Sequence, residues 1–325
     1  MTLLNAKTPY LKKETSVSSM MRDTLTALAF LLVLPVARYG ARPLAMAAVT
    51  LVACVLCEIA WSLLQSRSIN TSDCSSMVTG LIIVMLMPLN APLWLPCAAA
   101  AFAILVAKKP FGSTGHTPFN PAAAGMAFIT LLWPQRIFSY FNPSAGEVLP
   151  VFADCNVETA PSPAAVLKNG LKPDILPFDM LWGVFAGPVG ATGILVLCAC
   201  GLYLFLKRTA NWEITAGCLF AGAVMAALWP RIACAPLTSI KYELMSGSLL
   251  FCAVFMLTDP VTSPRTGFGR VLYGLLAGVL IMLFRRYGAY EQGAWFAILL
   301  ANAVVPQINS LVCGDRRWGE ELYEE

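Results

Sequence analysis

Apolar residues fill ten segments of the chain, which are separated by short polar stretches and by one long polar loop. A membrane-spanning helix needs about 20 predominantly apolar residues, and fewer where neighbouring helices shield its ends. The pattern therefore predicts an all-α polytopic membrane protein. The ten predicted transmembrane helices are residues 24–39, 43–65, 74–89, 91–107, 119–134, 188–206, 211–229, 243–258, 268–285 and 291–309.

The polar segments predict how the chain is oriented. Residues 135–187, rich in Pro, Asp and Asn, separate two membrane halves, 24–134 and 188–309. An even number of spans puts both tails, 1–23 and 310–325, on one side. With these tails in the cytoplasm, 13 Lys and Arg residues lie inside and 9 outside, which is the sign that the positive-inside rule requires. The 135–187 loop is then extracytoplasmic.

A weak internal repeat supports two equivalent halves. TGLIIVMLMP (79–88) resembles SGSLLFCAVFMLTDP (246–260), and GMAFITLLWP (125–134) resembles GAWFAILLANAVVP (293–306), at offsets of 167 and 168 residues. The same offset pairs Thr24 with Thr192. Five helices in each half predict inverted repeats, which usually place functional sites at their interface. The alternative is the general likeness of any two helices rich in Leu, Ile, Val and Gly.

Composition narrows the class of protein. The chain is 58% hydrophobic and 12% charged, with a mean hydropathy of +0.70, which is more apolar surface than a soluble domain of this length can bury. A net charge of +4 gives no basis for nucleic-acid binding. A single histidine, His116, excludes sites built from several imidazoles. Of the 11 cysteines, Cys54 and Cys57 form a C-x-x-C, and without a second such pair packing is favoured over a redox or cluster role.

Three positions are candidates for chemistry. Asn120, in KKPFGSTGHTPFNPAAAG (108–125), is either a ligand contact in broken backbone or the cap of a helix. Asp259, in FMLTDPVTSPRTGFGRVLYG (255–274), binds something or caps a turn. Glu58 lies inside the second predicted helix, where a carboxylate is either protonated, placed at the lipid interface, or functional. Glu58 and Asp259 are therefore candidates for an ion pathway.

The segment GPVGATGILVL (187–197) introduces the sixth predicted helix. A helix beginning at Pro188 would present free N–H groups, which suit a phosphate, and Gly187 and Gly190 would let the backbone approach a ligand. The Thr192 hydroxyl could accept a phosphoester bond in such a place. From these residues alone, close helix packing through small side chains is the favoured explanation.

GHTPFNPAAAG, FMLTDPVTSPRTGFGRVLYG and RRYGAYEQGAWFAILLANAVVPQIN together resemble the D subunits of Rnf complexes, which are ion-translocating ferredoxin:NAD oxidoreductases of the bacterial cytoplasmic membrane. The B subunit of the sodium-pumping NADH:quinone oxidoreductase belongs to the same family. The form TDPVTSP and the chain length favour the Rnf type.

The resemblance implies a cofactor. The family carries FMN joined through its phosphate to a threonine, and Gly190, Ala191 and Thr192 match the last three positions of that motif, whereas Val189 stands at the usual serine. It also implies a second, non-covalent flavin such as riboflavin, for which the loop containing Phe119 and Asn120 is the candidate.

The function implied is an electron relay, coupled to Na⁺ or H⁺ movement, with partner membrane and iron–sulfur subunits and a second flavin subunit. The chain holds no NAD-binding G-x-G-x-x-G and no nucleophile–base pair, so it is not a complete enzyme alone. Three alternatives remain: a component like the B subunit of the quinone reductase, a flavin-free secondary transporter, and a structural membrane subunit whose flavin site has degenerated, as Val189 would allow.

Overall fold

The computed structural model describes residues 17–65, 74–112, 117–143, 149–152 and 158–313. His116 and Cys155 lie outside these residues. Helices make up nearly all of the regular structure, and the bounds are as follows: α1 (Val17–Tyr39), α2 (Arg42–Leu64), α3 (Ser75–Leu86), α4 (Trp94–Phe102, continued by a π turn Ala103–Lys108 and a 3-10 turn Lys109–Phe111), α5 (Pro121–Leu132), α6 (Pro134–Ile137), α7 (Pro163–Lys168), α8 (Pro177–Trp182), α9 (Ile194–Leu206), α10 (Trp212–Leu228), α11 (Pro236–Met245), α12 (Leu249–Phe251, continued by a π turn Cys252–Met256), α13 (Gly267–Tyr287) and α14 (Ala294–Cys313).

The helices confirm an all-α membrane protein. Within the described residues, α1, α2, α4, α13 and α14 are long and apolar enough to cross a bilayer, and α11 with α12 forms a further candidate, broken by a bend of 67°. The other four apolar helices are shorter; α3, for example, has 12 residues and reaches about 18 Å at 1.5 Å per residue. Each of the ten predicted segments overlaps a helix. The number of crossings stays a prediction.

Several boundaries differ from those predicted. Helix α1 begins at Val17, so the last part of the predicted N-terminal tail is helical, and α14 continues to Cys313. Helix α9 begins at Ile194 and not at residue 188. In this segment the N–H groups of Val189 and Gly190 donate to the carbonyls of Met87 and Met85, so the backbone before Ile194 is held against the end of α3 in a non-helical conformation.

The two membrane halves meet along α1 with α9 and α5 with α14. Carbonyl groups at the ends of the two short helices, α3 and α12, accept hydrogen bonds from residues of the opposite half. Residues 189 and 190 pair with the end of α3, and the Asn120 side chain donates to the carbonyl of Met256 at the end of α12 (3.0 Å).

The described part of the 135–187 loop is folded and packed on its own chain. It contains α6, α7, α8 and a short antiparallel pair of strands, β1 (Tyr140–Phe141) and β2 (Thr159–Ala160). The Ser162 hydroxyl donates to the Glu291 carboxylate (2.9 Å), and the Lys168 ammonium donates to the carbonyl of Gly288 (3.0 Å). These contacts fix the loop to the connection between α13 and α14.

Candidate functional site

The segment containing Thr192 packs tightly against α3. The Gly190 N–H donates to the Met85 carbonyl (2.7 Å), and a Cβ atom built on Gly190 would lie 2.5 Å from the Met85 Cβ. Gly190 is therefore needed for this close approach. The expectation that Gly190 leaves space for a ligand is wrong, because Met85 fills that space.

Thr192 lies just before α9, with Gly193 as the N-cap residue. The predicted helix start at Pro188 would have placed Thr192 inside the helix, whereas Thr192 precedes it. The residue is 6% exposed, its carbonyl accepts from the Ile194 N–H (2.9 Å), and its hydroxyl has no hydrogen-bond partner among the described residues. The Thr192 hydroxyl therefore makes no competing hydrogen bond within the part of the chain that the structure describes.

Arg38 brings positive charge to the backbone that packs on Thr192. Its guanidinium donates to the carbonyls of Gly183 (3.0 Å) and Trp182 (2.6 Å). Gly183 has φ +82°, and a Cβ atom there would lie 2.4 Å from the Thr192 carbonyl oxygen. Trp182 and Phe178 of α8 are 44% and 66% exposed. An unpartnered hydroxyl, a nearby guanidinium and exposed aromatic rings fit a phosphate-linked flavin.

A cleft with an empty volume of about 690 Å³, part of it open to solvent, lies at a different place, between the starts of α3 and α5 and the end of α12. Lys108 and Asp259 are its charged lining residues. Apolar walls come from Val78, Ile82, Val254 and Phe255. Six hydroxyl side chains also line it: Thr24, Ser75, Thr79, Thr117, Thr209 and Thr258.

Asn120 lines the cleft, but its side chain is already in use. Its Oδ1 accepts from the N–H groups of Ala122 (3.0 Å) and Ala123 (3.2 Å), so it caps α5. Its backbone N–H donates to the Asn302 Oδ1 (3.0 Å), and Asn302 donates to the Tyr273 hydroxyl (2.7 Å). The helix-cap interpretation of Asn120 is confirmed. Phe119 is half-buried and does not line the cleft.

Glu58 is an ion-paired carboxylate. The Lys109 ammonium lies 3.3 Å and the Lys108 ammonium 3.6 Å from its Oε1. The Ser76 hydroxyl donates to the same oxygen and accepts from the Lys108 ammonium (2.5 Å). The two lysines neutralise a charge that would be expensive alone at this depth.

Asp259 is half-buried at the end of α12 and also stabilises the turn after it. Its Oδ1 accepts from the Val261 N–H (3.2 Å) and its Oδ2 from the Thr262 hydroxyl (3.5 Å). Burial raises the pKa of Asp259, and the hydrogen bonds and the Lys108 ammonium act in the opposite direction. Asp259 thus caps a turn and also faces the cleft.

The structure groups the predicted residues into two places. Asn120 and Asp259 line the cleft, and Glu58 is connected to it through Lys108, whereas Gly190, Ala191 and Thr192 are not among the residues that line it. Thr24, which the repeat pairs with Thr192, does line it. Lys108 was not among the predicted site residues, because the sequence analysis used it only in the count of Lys and Arg residues that predicts the orientation of the chain. A buried carboxylate requires a cation at its own depth, and that requirement could have identified it.

Comparison with known proteins identifies the family of the chain. The model of the NQR2, RnfD, RnfE family matches residues 4–316. The D subunit of the Na(+)-translocating ferredoxin:NAD(+) oxidoreductase complex of Acetobacterium woodii is 31% identical over 308 residues, covering 93% of this chain and 91% of the relative. The D subunit of the ion-translocating oxidoreductase complex of Salmonella dublin is 31% identical over 273 residues, covering 75% and 78%. The chain therefore belongs to the NQR2, RnfD, RnfE family, and the resemblance of its sequence to the D subunits of Rnf complexes is confirmed.

Proposed function

We propose that the chain is the membrane-embedded D-type subunit of an ion-translocating ferredoxin:NAD oxidoreductase complex, and that it relays electrons with FMN attached to Thr192. The observation that carries this proposal is the family match over nearly the whole chain, with two relatives named as D subunits of such complexes. Those names favour the Rnf type over the quinone-reductase relative.

The residues around Thr192 fit the attachment. The Thr192 hydroxyl has no competing hydrogen bond within the described residues and would form the phosphoester. Arg38 is positioned to offset the charge of the phosphate, and the exposed ring of Trp182 offers a surface for the flavin ring. When bound, FMN supplies one-electron chemistry that no side chain of this chain can provide.

We infer that a second, non-covalent flavin would bind in the cleft. Six hydroxyl side chains suit a polyol chain, and the apolar walls, with Phe255 among them, suit an aromatic ring. Asn120 holds the backbone around the cleft by capping α5 and by donating to the Met256 carbonyl. Lys108 would favour a ring that gains negative charge.

We also infer that the two halves are inverted repeats. The support is reciprocal: carbonyl groups at the end of α3 accept hydrogen bonds from the second half, and the carbonyl of Met256 at the end of α12 accepts one from the first half. Thr24 and Thr192, which the repeat pairs, both lie at the cofactor positions proposed above.

Denaturing gels test the attachment. The complex, produced in cells that possess the flavin-attaching enzyme, should show a fluorescent band for this chain that survives SDS. Thr192→Ala should abolish the band, and Thr24→Ala, a matched threonine in the other half, should retain it. An SDS-resistant flavin in Thr192→Ala, or none in the wild type, would contradict the proposal and leave a flavin-free transporter or a structural subunit.

A further inference from the structure

Helix α8 presents an apolar face to the outside of the protein. Phe178, Leu181 and Trp182 are exposed, and positions three and four residues apart lie on the same side of a helix. Met180, on the opposite side, is fully buried in a small apolar cluster. Leu176, directly before the helix, is exposed as well. An exposed apolar patch of this kind indicates contact with lipid or with another protein.

The end of α8 is attached to the end of a helix that is long enough to cross the bilayer. Arg38, the last residue but one of α1, donates to the carbonyls of Trp182 (2.6 Å) and Gly183 (3.0 Å). The apolar side chains of Val33 on α1 and Leu195 on α9 are exposed beside this contact. Helix α8 therefore lies at the level where α1 ends, next to helix faces that are suited to lipid.

Aromatic residues mark the same level in four other helices. Trp94 lies at the start of α4, Trp133 directly after α5, Trp229 directly after α10 and Tyr287 at the end of α13. In the predicted arrangement of ten spans, these four ends lie on the same side as the 135–187 loop, which is attached to the connection after α13. Trp and Tyr are enriched at membrane–water interfaces, so α8 lies among the residues of one membrane boundary.

We propose that α8 is an interfacial helix, which places Leu176, Phe178 and Leu181 in the lipid headgroup layer on the side of the membrane that carries the 135–187 loop. The apolar face of such a helix lies roughly 5–10 Å inside the boundary between headgroups and acyl chains. Trp182, at the end of the helix, keeps the role toward FMN proposed above.

Two features favour lipid over a protein partner as the occupant of this surface. The surface adjoins helix faces of α1 and α9 that are themselves apolar and exposed, and it lies at the level of the aromatic residues of the other helices. Lys172 and Asp174, exposed just before the surface, belong on the water side. The chain thus passes from charged to apolar exposed residues over a few positions, as it would on entering the headgroup layer.

Contact between α8 and lipid bears on the position of Thr192. Gly183, which ends α8, packs so closely on the Thr192 carbonyl that a Cβ atom there would lie 2.4 Å from its oxygen. A helix held in the headgroup layer therefore holds the Thr192 segment at the lipid–water boundary. The inference does not depend on whether Thr192 carries a flavin.

Fluorescence quenching in the purified complex, reconstituted into phosphatidylcholine nanodiscs, tests the proposal. A bimane fluorophore on Phe178→Cys should lose about half of its emission when the lipid is brominated near the top of its acyl chains, because the face lies at that depth. Val33→Cys, on the exposed face of α1, should be quenched as well. Leu171→Cys is the matched control, since Leu171 lies in the same loop and is 63% exposed, compared with 66% for Phe178. It should keep its emission in brominated lipid and be quenched by iodide in solution.

The two other possible outcomes would overturn the proposal. Quenching of the Phe178→Cys fluorophore by iodide alone would show that α8 lies in water, and quenching by neither agent would show that another subunit covers it. Emission from the unmodified chain, labelled at its native cysteines, is subtracted. Leu181→Cys, on the same face, should behave like Phe178→Cys and serves if that variant does not assemble.

The SDS-resistant flavin on Thr192 is measured in the same preparations and separates this inference from the proposed function. If the flavin is present and brominated lipid does not quench at position 178, the interfacial helix is contradicted while the electron-relay function stands. If brominated lipid quenches and the flavin is absent, the reverse holds.

Discussion

Arg285 lies inside the bundle with 1% of its surface exposed. Its guanidinium donates to the Glu243 carbonyl (2.7 Å) and the Ser246 carbonyl (2.8 Å), and Arg231 donates to the Glu243 carboxylate (2.7 Å). These groups tie α13 to the bend between α11 and α12. The broken helix is therefore held by charged hydrogen bonds and not by apolar packing alone.

We expect Arg285→Met to destabilise the protein by about 3–5 kcal/mol, because it leaves the buried Glu243 carboxylate with one cation fewer. Arg286→Met is the matched control. Its exposed guanidinium donates only to the Trp229 carbonyl among the described residues, and the change should cost about 1 kcal/mol or less. Thermal unfolding in detergent compares them, and equal losses would contradict the role assigned to Arg285.

For single residues, the sequence was enough to select Glu58, Asp259 and Asn120 as candidates, because polar side chains within or at the ends of apolar segments are uncommon. It could not reveal their partners. Lys108 meets Glu58, and Asn302 meets Asn120, only because helices distant in sequence pack side by side.

Helices α10 and α13 approach so closely that glycine is required between them. A Cβ atom on Gly274 would lie 2.3 Å from the Ile214 carbonyl oxygen, and one on Gly278 would lie 2.4 Å from the Cys218 carbonyl oxygen. The spacing of these two glycines is the small-xxx-small pattern of membrane helix pairs.

Gly274→Ala should therefore separate α10 from α13 and destabilise the protein by about 1–3 kcal/mol. Gly267→Ala, at the start of the same helix, meets nothing within 4 Å and should be close to neutral. The unfolding midpoints of the two variants check this. A Gly274→Ala protein as stable as the wild type would mean that the helices can move apart without cost.

The contact between the 135–187 loop and the α13–α14 connection should depend on pH. Burial raises the pKa of Glu291, opposed by hydrogen bonds from Ser162, Tyr140 and Gln292 and by Lys168. A carboxyl with a raised folded pKa stabilises the fold below its unfolded pKa of about 4.3, and this contribution is lost as the pH rises through the folded value.

Glu291→Gln mimics the protonated carboxyl and should be more stable than the wild type at pH 7, with the advantage shrinking as the pH falls toward the unfolded pKa. Unfolding midpoints of both proteins across that range provide the measurement. A wild type that gains stability relative to Glu291→Gln as the pH rises would show the opposite sign.

The length of the apolar runs indicated where helices form, and each of the ten predicted segments overlaps a helix. It misplaced the start of α9, since the backbone before Ile194 pairs with carbonyls of α3 more than a hundred residues earlier in the chain. The structure of the described part of the 135–187 loop could not be predicted from the sequence either, because it depends on contacts between distant residues, such as Ser162 with Glu291.

For the whole molecule, the charge bias predicts that the 135–187 loop is extracytoplasmic and that the connection after α9 is cytoplasmic. Leu171 and Leu206 are exposed reporters in these two places, at 63% and 76%. An impermeant maleimide added to intact spheroplasts should label Leu171→Cys and should label Leu206→Cys only after lysis. Labelling of the native cysteines is measured in the unmodified chain and subtracted as background. The reverse labelling pattern would show that the topology is opposite to the predicted one.

The central claim is that Thr192 carries the flavin, and mass spectrometry of the peptide Gly183–Lys207 tests it most directly. In protein purified with its complex from cells that contain the attaching enzyme, the account predicts a mass gain equal to FMN less one water, localised to Thr192 by fragmentation. An unmodified Thr192, or FMN located on another residue, would contradict it.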